Sequence, residues 1–174
     1  MLSEKRVKEA EKNVVSYLAE GLLQKKPFEQ IVFKVLLSNA RESLNIANFL
    51  AKEQKSDFWV IVTSYYSMYY MTNAVLYKLG FKVGEKISHK ITADALIVYV
   101  RKHLRDNLIE QYEELKKEAL AGIRTDELIE AFDYERRKRG IIQYQTKELE
   151  KHSKAITSLN RAKEFVAEME KLLS

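Results

Sequence analysis

The hydrophobic positions of this chain are spaced for helices, and one stretch differs from the others. Between Asp57 and Lys78 the sequence carries no charge, and apolar or aromatic residues fall on every side of a 3.6-residue helical wheel. A helix that is apolar all round is buried on all sides. Ser56 or Asp57 is suited to cap its start, and Gly80 is suited to follow its last turn. The pattern therefore predicts a buried central helix over 57–80.

The segments on either side of this stretch repeat apolar residues at three- and four-residue steps, which predicts amphipathic helices. Pro27, the only proline, ends the first of them, because a proline inside a helix costs about 3 kcal/mol. No alternation of useful length predicts a strand. The fold class expected is therefore all-α, an up-and-down helical bundle over 28–174 with an additional N-terminal amphipathic helix in 1–26. The first four predicted helices cover 3–24, 28–54, 57–80 and 88–104, with Ser88 as the cap of the fourth. A fifth begins at Asp106 or Asn107, is bent or broken by Gly122, and restarts at Thr125 to reach Lys138 or Arg139. A loop over 140–145 follows, and Thr146 caps the last helix.

The amino-acid composition limits the class of protein and its expected location, but it says little about the activity. The 174 residues include no cysteine, so disulfide and thiol chemistry are excluded, and a reducing cytoplasm is the expected location. The charged start of the chain, M-L-S-E-K-R, is unlike a signal peptide. A charged fraction of 32% without cysteine is compatible with a thermophilic source, and the net charge of +5 with a polyanionic partner.

The uncharged stretch is about long enough to span a bilayer, which takes roughly 20 apolar residues. Its tyrosines are scattered along it, whereas an interfacial belt would gather them at the two ends. A helix buried in a protein core is therefore expected, and no membrane association. Polar residues interrupt the stretch at Thr63, Ser64, Ser67, Thr72 and Asn73.

The common enzyme signatures are missing from the sequence. It contains no glycine-rich phosphate loop, no paired-histidine metal motif and no nucleophile elbow. His89, His103 and His152 lie far apart and show no recognisable metal spacing, so neither a metal site nor a cofactor is expected. His103 and His152 fall on charged helix faces, where solvated surface is the simplest interpretation.

One candidate site lies at the predicted start of the fourth helix, where the sequence reads Ile-Ser-His-Lys over 87–90. Backbone amides at a helix N-terminus point outward, and the helix dipole favours an anion there. His89 and Lys90 are therefore candidates for holding a phosphate group. The alternative is a capping Ser88 followed by two exposed residues.

A second candidate site is a cluster of four cations, Arg136, Arg137, Lys138 and Arg139, a few residues before Tyr144. Like charges repel one another unless an anion neutralises them, and guanidinium groups bind phosphate in bidentate fashion. The negative end of a helix dipole accounts for two of the four cations. The cluster is thus either a site for RNA or nucleotide phosphates, or a solvated helix end paired with nearby acidic residues.

Three stretches together resemble the HEPN family of small helical domains linked to nucleotide binding. The central T-S-Y-Y-S-M-Y-Y-M-T-N-A-V-L-Y-K-L-G resembles the hallmark helix of that family, and Ser88-His89-Lys90 resembles its Ser-His segment. Arg139-Gly-Ile-Ile-Gln-Tyr144 stands where members carry Arg, four to six residues and then His. The resemblance covers about residues 28–173 and leaves the first helix outside as an addition.

The resemblance implies a homodimer that acts in toxin–antitoxin or defence-type systems. Members with the Arg…His motif are metal-independent endoribonucleases, whereas others are non-catalytic partners of a minimal nucleotidyltransferase and bind nucleotide or RNA. In this chain Tyr144 stands at the histidine position. A tyrosine with a pKa near 10 is ionised in only about one molecule in a thousand at pH 7. Tyr144 therefore forfeits much of the roughly 10²–10⁴-fold that general base catalysis supplies.

Three functions follow as expectations, and the chain alone does not choose among them. An endoribonuclease would use Arg139 to stabilise the pentacoordinate phosphate and Tyr144 for proton transfer. A helical adaptor would use neither. The first expectation is a HEPN-like module that binds RNA or nucleotide phosphates, with a second copy and a nucleotidyltransferase as partners. It would bind phosphates through Arg136, Arg137, Lys138 and Arg139, with Tyr144 positioning the ligand. His89 and Lys90 are the further candidates for phosphate binding.

Overall fold

The computed structural model describes the backbone of residues 2–136 and 144–173, and within these the side chains of 2–121, 123 and 151–173. The described part is an all-α bundle with one two-stranded sheet at its side, which confirms the predicted fold class. The elements are α1 Glu4–Ala19, β1 Leu23–Lys25, α2 Gln30–Lys52, α3 Asp57–Lys78, β2 Phe81–Val83, α4 Ser88–Ala95, a π-helical turn Leu96–Val100, a 3₁₀ turn Arg101–His103, α5 Asp106–Arg136 and α6 Tyr144–Lys171.

Helix α3 is the centre of the bundle, as its uncharged sequence predicts. It contacts α2, α4, α5 and α6, and Tyr65, Met68 and Met71 on it are fully buried. The side chain of Ser56 accepts a hydrogen bond from the Trp59 amide at 3.4 Å, so the predicted cap is confirmed. In the part of the chain that the structure describes, no helix is long and apolar enough to cross a membrane.

The first helix ends earlier than its apolar periodicity predicts. Helix α1 stops at Ala19, and Gly21 follows with a φ of 71°, a left-handed conformation that glycine adopts without a steric penalty. The next residues form β1, which pairs antiparallel with β2, Leu23 opposite Val83. The prediction that helix continues to residue 24 is therefore wrong, because Gly21 turns the chain back before Pro27 is reached.

The start of the fourth helix also differs from its prediction. Ser88 is the first residue of α4 rather than its cap, and the capping position is taken by Ile87 in the left-handed region, with a φ of 46°. The carbonyl of Ile87 accepts from the Lys90 and Ile91 amides at 2.9 and 3.1 Å. Beyond Ala95 the helical path continues through the π-helical and 3₁₀ turns to His103, close to the predicted end.

Helix α5 runs without interruption past Gly122 to Arg136, so the predicted break and the restart at Thr125 are wrong. One glycine inside a helix costs only about 1 kcal/mol relative to alanine, which a long helix tolerates. Helix α6 begins at Tyr144, two positions before the predicted cap. Most of the predicted loop, residues 140–143, lies outside the described residues.

The N-terminal helix packs onto the same core as the rest of the bundle. Ala10, Val14 and Tyr17 on α1 are buried in one cluster with residues of α3, α4 and α5. Polar contacts reinforce this packing, since three side chains of α1 reach the fully buried Asp94 on α4. Helix α1 is thus part of the folded core in this structure.

Candidate functional site

Tyrosines of α3 and a histidine of α4 meet at one side of the bundle. Tyr69 lies four positions after Tyr65 and three after Tyr66, so its ring shares a helix face with each of theirs, and all three rings lie against the same neighbour. Their ring centroids lie 5.5, 5.7 and 4.6 Å from that of His89. Tyr70 extends the group, with its ring 6.0 Å from Tyr66. We call the four partly exposed members, Tyr66, Tyr69, Tyr70 and His89, the tyrosine–histidine surface.

Tyr65 lies beneath this surface and holds the histidine ring in place. Its hydroxyl is hydrogen-bonded to His89 Nδ1 at 2.8 Å, and the residue is fully buried. Burial raises the pKa of Tyr65, so the hydroxyl keeps its proton at neutral pH. Behind it lies the Tyr112 ring, with its centroid 5.9 Å away. The Tyr112 hydroxyl is buried and has no hydrogen-bond partner among the described residues.

The electrostatic surroundings keep His89 neutral. Burial lowers its pKa, and the nearby Lys116 cation lowers it further. Lys90, the next residue along α4, is exposed and carries a second cation one position from His89 in the chain. Glu113, a carboxylate on the same side of α5, is already engaged, since it lies 3.2 Å from Lys116 and 3.1 Å from Arg6.

The sequence left open the alternative that His89 and Lys90 are simply two exposed residues after a helix cap. This alternative is wrong for His89, which is partly buried, and correct for Lys90, which is exposed. His89 is half-buried against tyrosines that the sequence pattern assigned to the core. The other two histidines match their interpretation as surface. His103 is exposed, and His152 is about half exposed and pairs with Asp57 at 2.9 Å.

A second polar cluster, which sequence reasoning missed, surrounds Asp94 on α4. Asn13 and Tyr17 donate hydrogen bonds to its Oδ2, both at 2.9 Å. Arg6 Nη2 lies 2.6 Å from Oδ1 as an ion pair and donates to Glu113 at 3.1 Å. The signal available in the sequence was an acidic residue on the buried face of the predicted helix, one position before Ala95.

The predicted cationic cluster lies largely beyond what the structure describes. Arg137, Lys138 and Arg139 lie outside the described residues, and so do the side chains of Arg136 and Tyr144. The backbone places Arg136 at the end of α5 and Tyr144 at the start of α6. With a rise of 1.5 Å per residue, the end of α5 is about 30 Å along the helix from the tyrosine–histidine surface. The two predicted phosphate sites thus belong to different ends of α5.

Within the described residues, no three His, Cys, Asp or Glu side chains are placed to hold a metal ion. Comparisons of the chain with family models, with curated proteins and with solved structures found no match. The HEPN resemblance therefore rests on the three stretches quoted above and stays a prediction. What the described geometry offers is an aromatic surface around a neutral imidazole, with cations at its rim.

Proposed function

We propose that the chain binds single-stranded RNA or nucleotide phosphates at the tyrosine–histidine surface. The observation that supports this proposal is the partial exposure of Tyr66 and Tyr69 around His89, with the partly exposed Tyr70 next to them. The Lys116 cation lies near His89, and the exposed Lys90 follows His89 in the chain. Unpaired bases stack on aromatic side chains, and lysines neutralise the phosphates between them. Each stacked base contributes about 1–3 kcal/mol and tolerates different base identities.

The cationic cluster extends this proposal to the far end of α5. Arg136, Arg137, Lys138 and Arg139 would bind phosphates of the same ligand or of another part of a long strand. Their number predicts a steep salt dependence, because each neutralised phosphate releases counterions. Two separated contacts, one aromatic and one cationic, suit a polymer better than a mononucleotide.

A protein partner is the second part of the proposal, and helix α2 supports it. Large apolar side chains on this helix are exposed by 71% at Ile31, 51% at Val35, 42% at Ile46 and 59% at Phe49. Apolar residues clustered on an exposed helix face commonly mark protein contacts.

We propose that this face forms the homodimer that the HEPN resemblance implies. The four positions are nearly symmetric about residue 40, so an antiparallel second copy would set Ile31 against its Phe49 and Val35 against its Ile46. Sedimentation equilibrium of the wild type beside Phe49→Glu tests this contact. A monomeric wild type would leave the face to another partner, such as the nucleotidyltransferase.

Fluorescence anisotropy with a labelled single-stranded RNA tests the binding proposal. Tyr69→Ala and Lys90→Gln are expected to weaken binding by about five- to fiftyfold and a few-fold respectively, because one removes a stacking ring and the other a cation. Lys12→Gln, at an exposed position on α1, is the matched control and is expected to bind as the wild type does. Equal affinities in all four proteins would contradict the proposed site.

The same RNA, run on a gel in the presence of a chelator, separates binding from cleavage. Intact RNA is the expected result. Cleavage that leaves 2′,3′-cyclic phosphate ends and is lost in Arg139→Ala and Tyr144→Phe would instead support the endoribonuclease.

A further inference from the structure

The two nitrogens of the His89 ring are in different situations. Nδ1 is hydrogen-bonded to the Tyr65 hydroxyl at 2.8 Å. Nε2 has no hydrogen-bond partner among the described residues, and the ring is partly exposed. The nitrogen that a ligand can reach is therefore Nε2, while Nδ1 fixes the orientation of the ring.

The Tyr65 hydroxyl suits both protonation states of this ring. When Nδ1 is unprotonated, the hydroxyl donates to it, and when Nδ1 carries a proton, the hydroxyl oxygen accepts from it. Gaining a proton therefore reverses the direction of this hydrogen bond without breaking it. The protonated ring then offers a second donor, the Nε2–H, to whatever lies on the surface.

The charges that face His89 determine the pH at which the ring gains that proton. From α5 it faces Lys116, and Lys90 is the next residue in the first turn of its own helix. Burial raises the pKa of two of the tyrosines that α3 presents to it, Tyr65 and Tyr66, so these two rings stay neutral. The carboxylate of Glu113 is shared between Lys116 and Arg6 on α1. Among the described residues that face it, the ring thus has two cations and a carboxylate that is already ion-paired. An anionic ligand would offset the charge of these cations.

We infer that a phosphodiester bound at the tyrosine–histidine surface is held by His89 in its protonated form, so that binding takes up one proton. This inference rests on the proposed function, of which it names the ligand group and its contact atom. The proton comes from solvent to the imidazole, and the Nε2–H donates to a non-bridging phosphate oxygen. No covalent bond of the ligand forms or breaks.

The coupling has a defined sign. A ligand that binds the protonated ring better raises the pKa of His89, and by linkage a falling pH raises the affinity for that ligand. Between the pKa values of the free and the bound state, the affinity rises by up to about tenfold for each unit of pH. A phosphodiester keeps its single charge throughout this range, so the ligand contributes no slope of its own.

The test measures binding of an octauridylate that carries a tetramethylrhodamine label and no terminal phosphate, so that neither the label nor the RNA titrates in the range used. The ionic strength is constant, and the pH runs from about 8 to about 5.5, which spans histidine titration. The wild type is expected to bind more tightly as the pH falls. His89→Gln is expected to stay constant within about twofold, because glutamine does not titrate. Lys90→Gln is the matched control, with weaker binding throughout and the same slope.

A second measurement uses only the wild-type chain and therefore does not require that a variant folds. The ring of His89 in the wild-type chain is titrated by NMR with and without the octauridylate, and its midpoint is expected to move to higher pH in the complex. A midpoint unchanged by RNA, or a slope that persists in His89→Gln, would overturn the inference and leave the binding proposal standing. Absence of binding at every pH would instead remove the binding proposal, and this inference with it.

Discussion

Two polar clusters are built on the same short helix α4, and their hydrogen bonding differs. Asp94 is fully buried, and each of its carboxylate oxygens lies within 3 Å of a donor from α1. His89, less than two turns earlier, has one nitrogen engaged and the other without a partner in the described residues. Beneath it the Tyr112 hydroxyl is buried and has no hydrogen-bond partner in the part of the chain that the structure describes. Unpaired polar groups of this kind are uncommon in native cores.

This difference indicates that the Asp94 cluster stabilises the fold, whereas the His89 cluster is able to bind a ligand. A buried carboxylate costs several kcal/mol unless it is paired and hydrogen-bonded, and the three α1 side chains supply those partners. The His89 cluster keeps spare hydrogen-bonding capacity and lies partly at the surface, where a ligand can use it. The first cluster is expected to govern stability, and the second to govern binding.

The largest expected effect is on the first cluster. Asp94→Ala removes the shared acceptor of Arg6, Asn13 and Tyr17. The buried Tyr17 hydroxyl loses its partner, and the partly buried Arg6 cation keeps only Glu113. The free energy of unfolding, measured in urea, is expected to fall by about 3 kcal/mol. Glu11→Ala, at an exposed position on α1, is the control and should change it by less than about 0.5 kcal/mol. A loss below about 1 kcal/mol for Asp94→Ala would show that α1 is held by apolar packing alone.

A smaller effect separates the two clusters with the same chemical change, the loss of one tyrosine hydroxyl. Tyr17→Phe removes a donor to a charged acceptor, and a bond of that kind is worth about 1.5–3 kcal/mol. Tyr65→Phe removes a bond between neutral groups, worth about 0.5–1.5 kcal/mol. Urea unfolding of both variants is therefore expected to rank Tyr17→Phe as the more destabilised. The reverse order would mean that His89 depends on Tyr65 more than Asp94 depends on Tyr17.

The central helix was predictable because its signal is local. An uncharged stretch between a capping serine and a glycine needs no knowledge of its neighbours, and α3 begins at the predicted residue. The inner faces of the amphipathic helices follow for the same reason. Leu108, Tyr112, Leu115 and Ala119 on α5 are all fully buried, as their spacing indicates.

The polar clusters depend on contacts between distant parts of the chain. Asn13 reaches Asp94 across 81 residues, and nothing in the spacing of either helix shows which of them face each other. The strands β1 and β2 are three residues each, too short for an alternating pattern, and they pair because the chain reverses at Gly21 and Gly80. The roles assigned to Arg139 and Tyr144 stay predictions, since their side chains lie outside the described residues.

The smallest expected effect is the pH dependence of stability that His89 contributes. Its pKa is lowered in the folded chain by burial and by Lys116, so below about pH 6.5 the unfolded chain binds the proton more readily. The free energy of unfolding is therefore expected to decrease as the pH falls below about 6.5, and to level off once the folded protein is protonated too. Urea unfolding of the wild type and of His89→Gln at a series of pH values isolates this contribution as the difference in slope. Parallel curves would mean that the ring is as easily protonated in the bundle as in the unfolded chain. The contrast between His89 and the ion-paired Asp94 would then be limited to their hydrogen bonds and would not include the charge of His89.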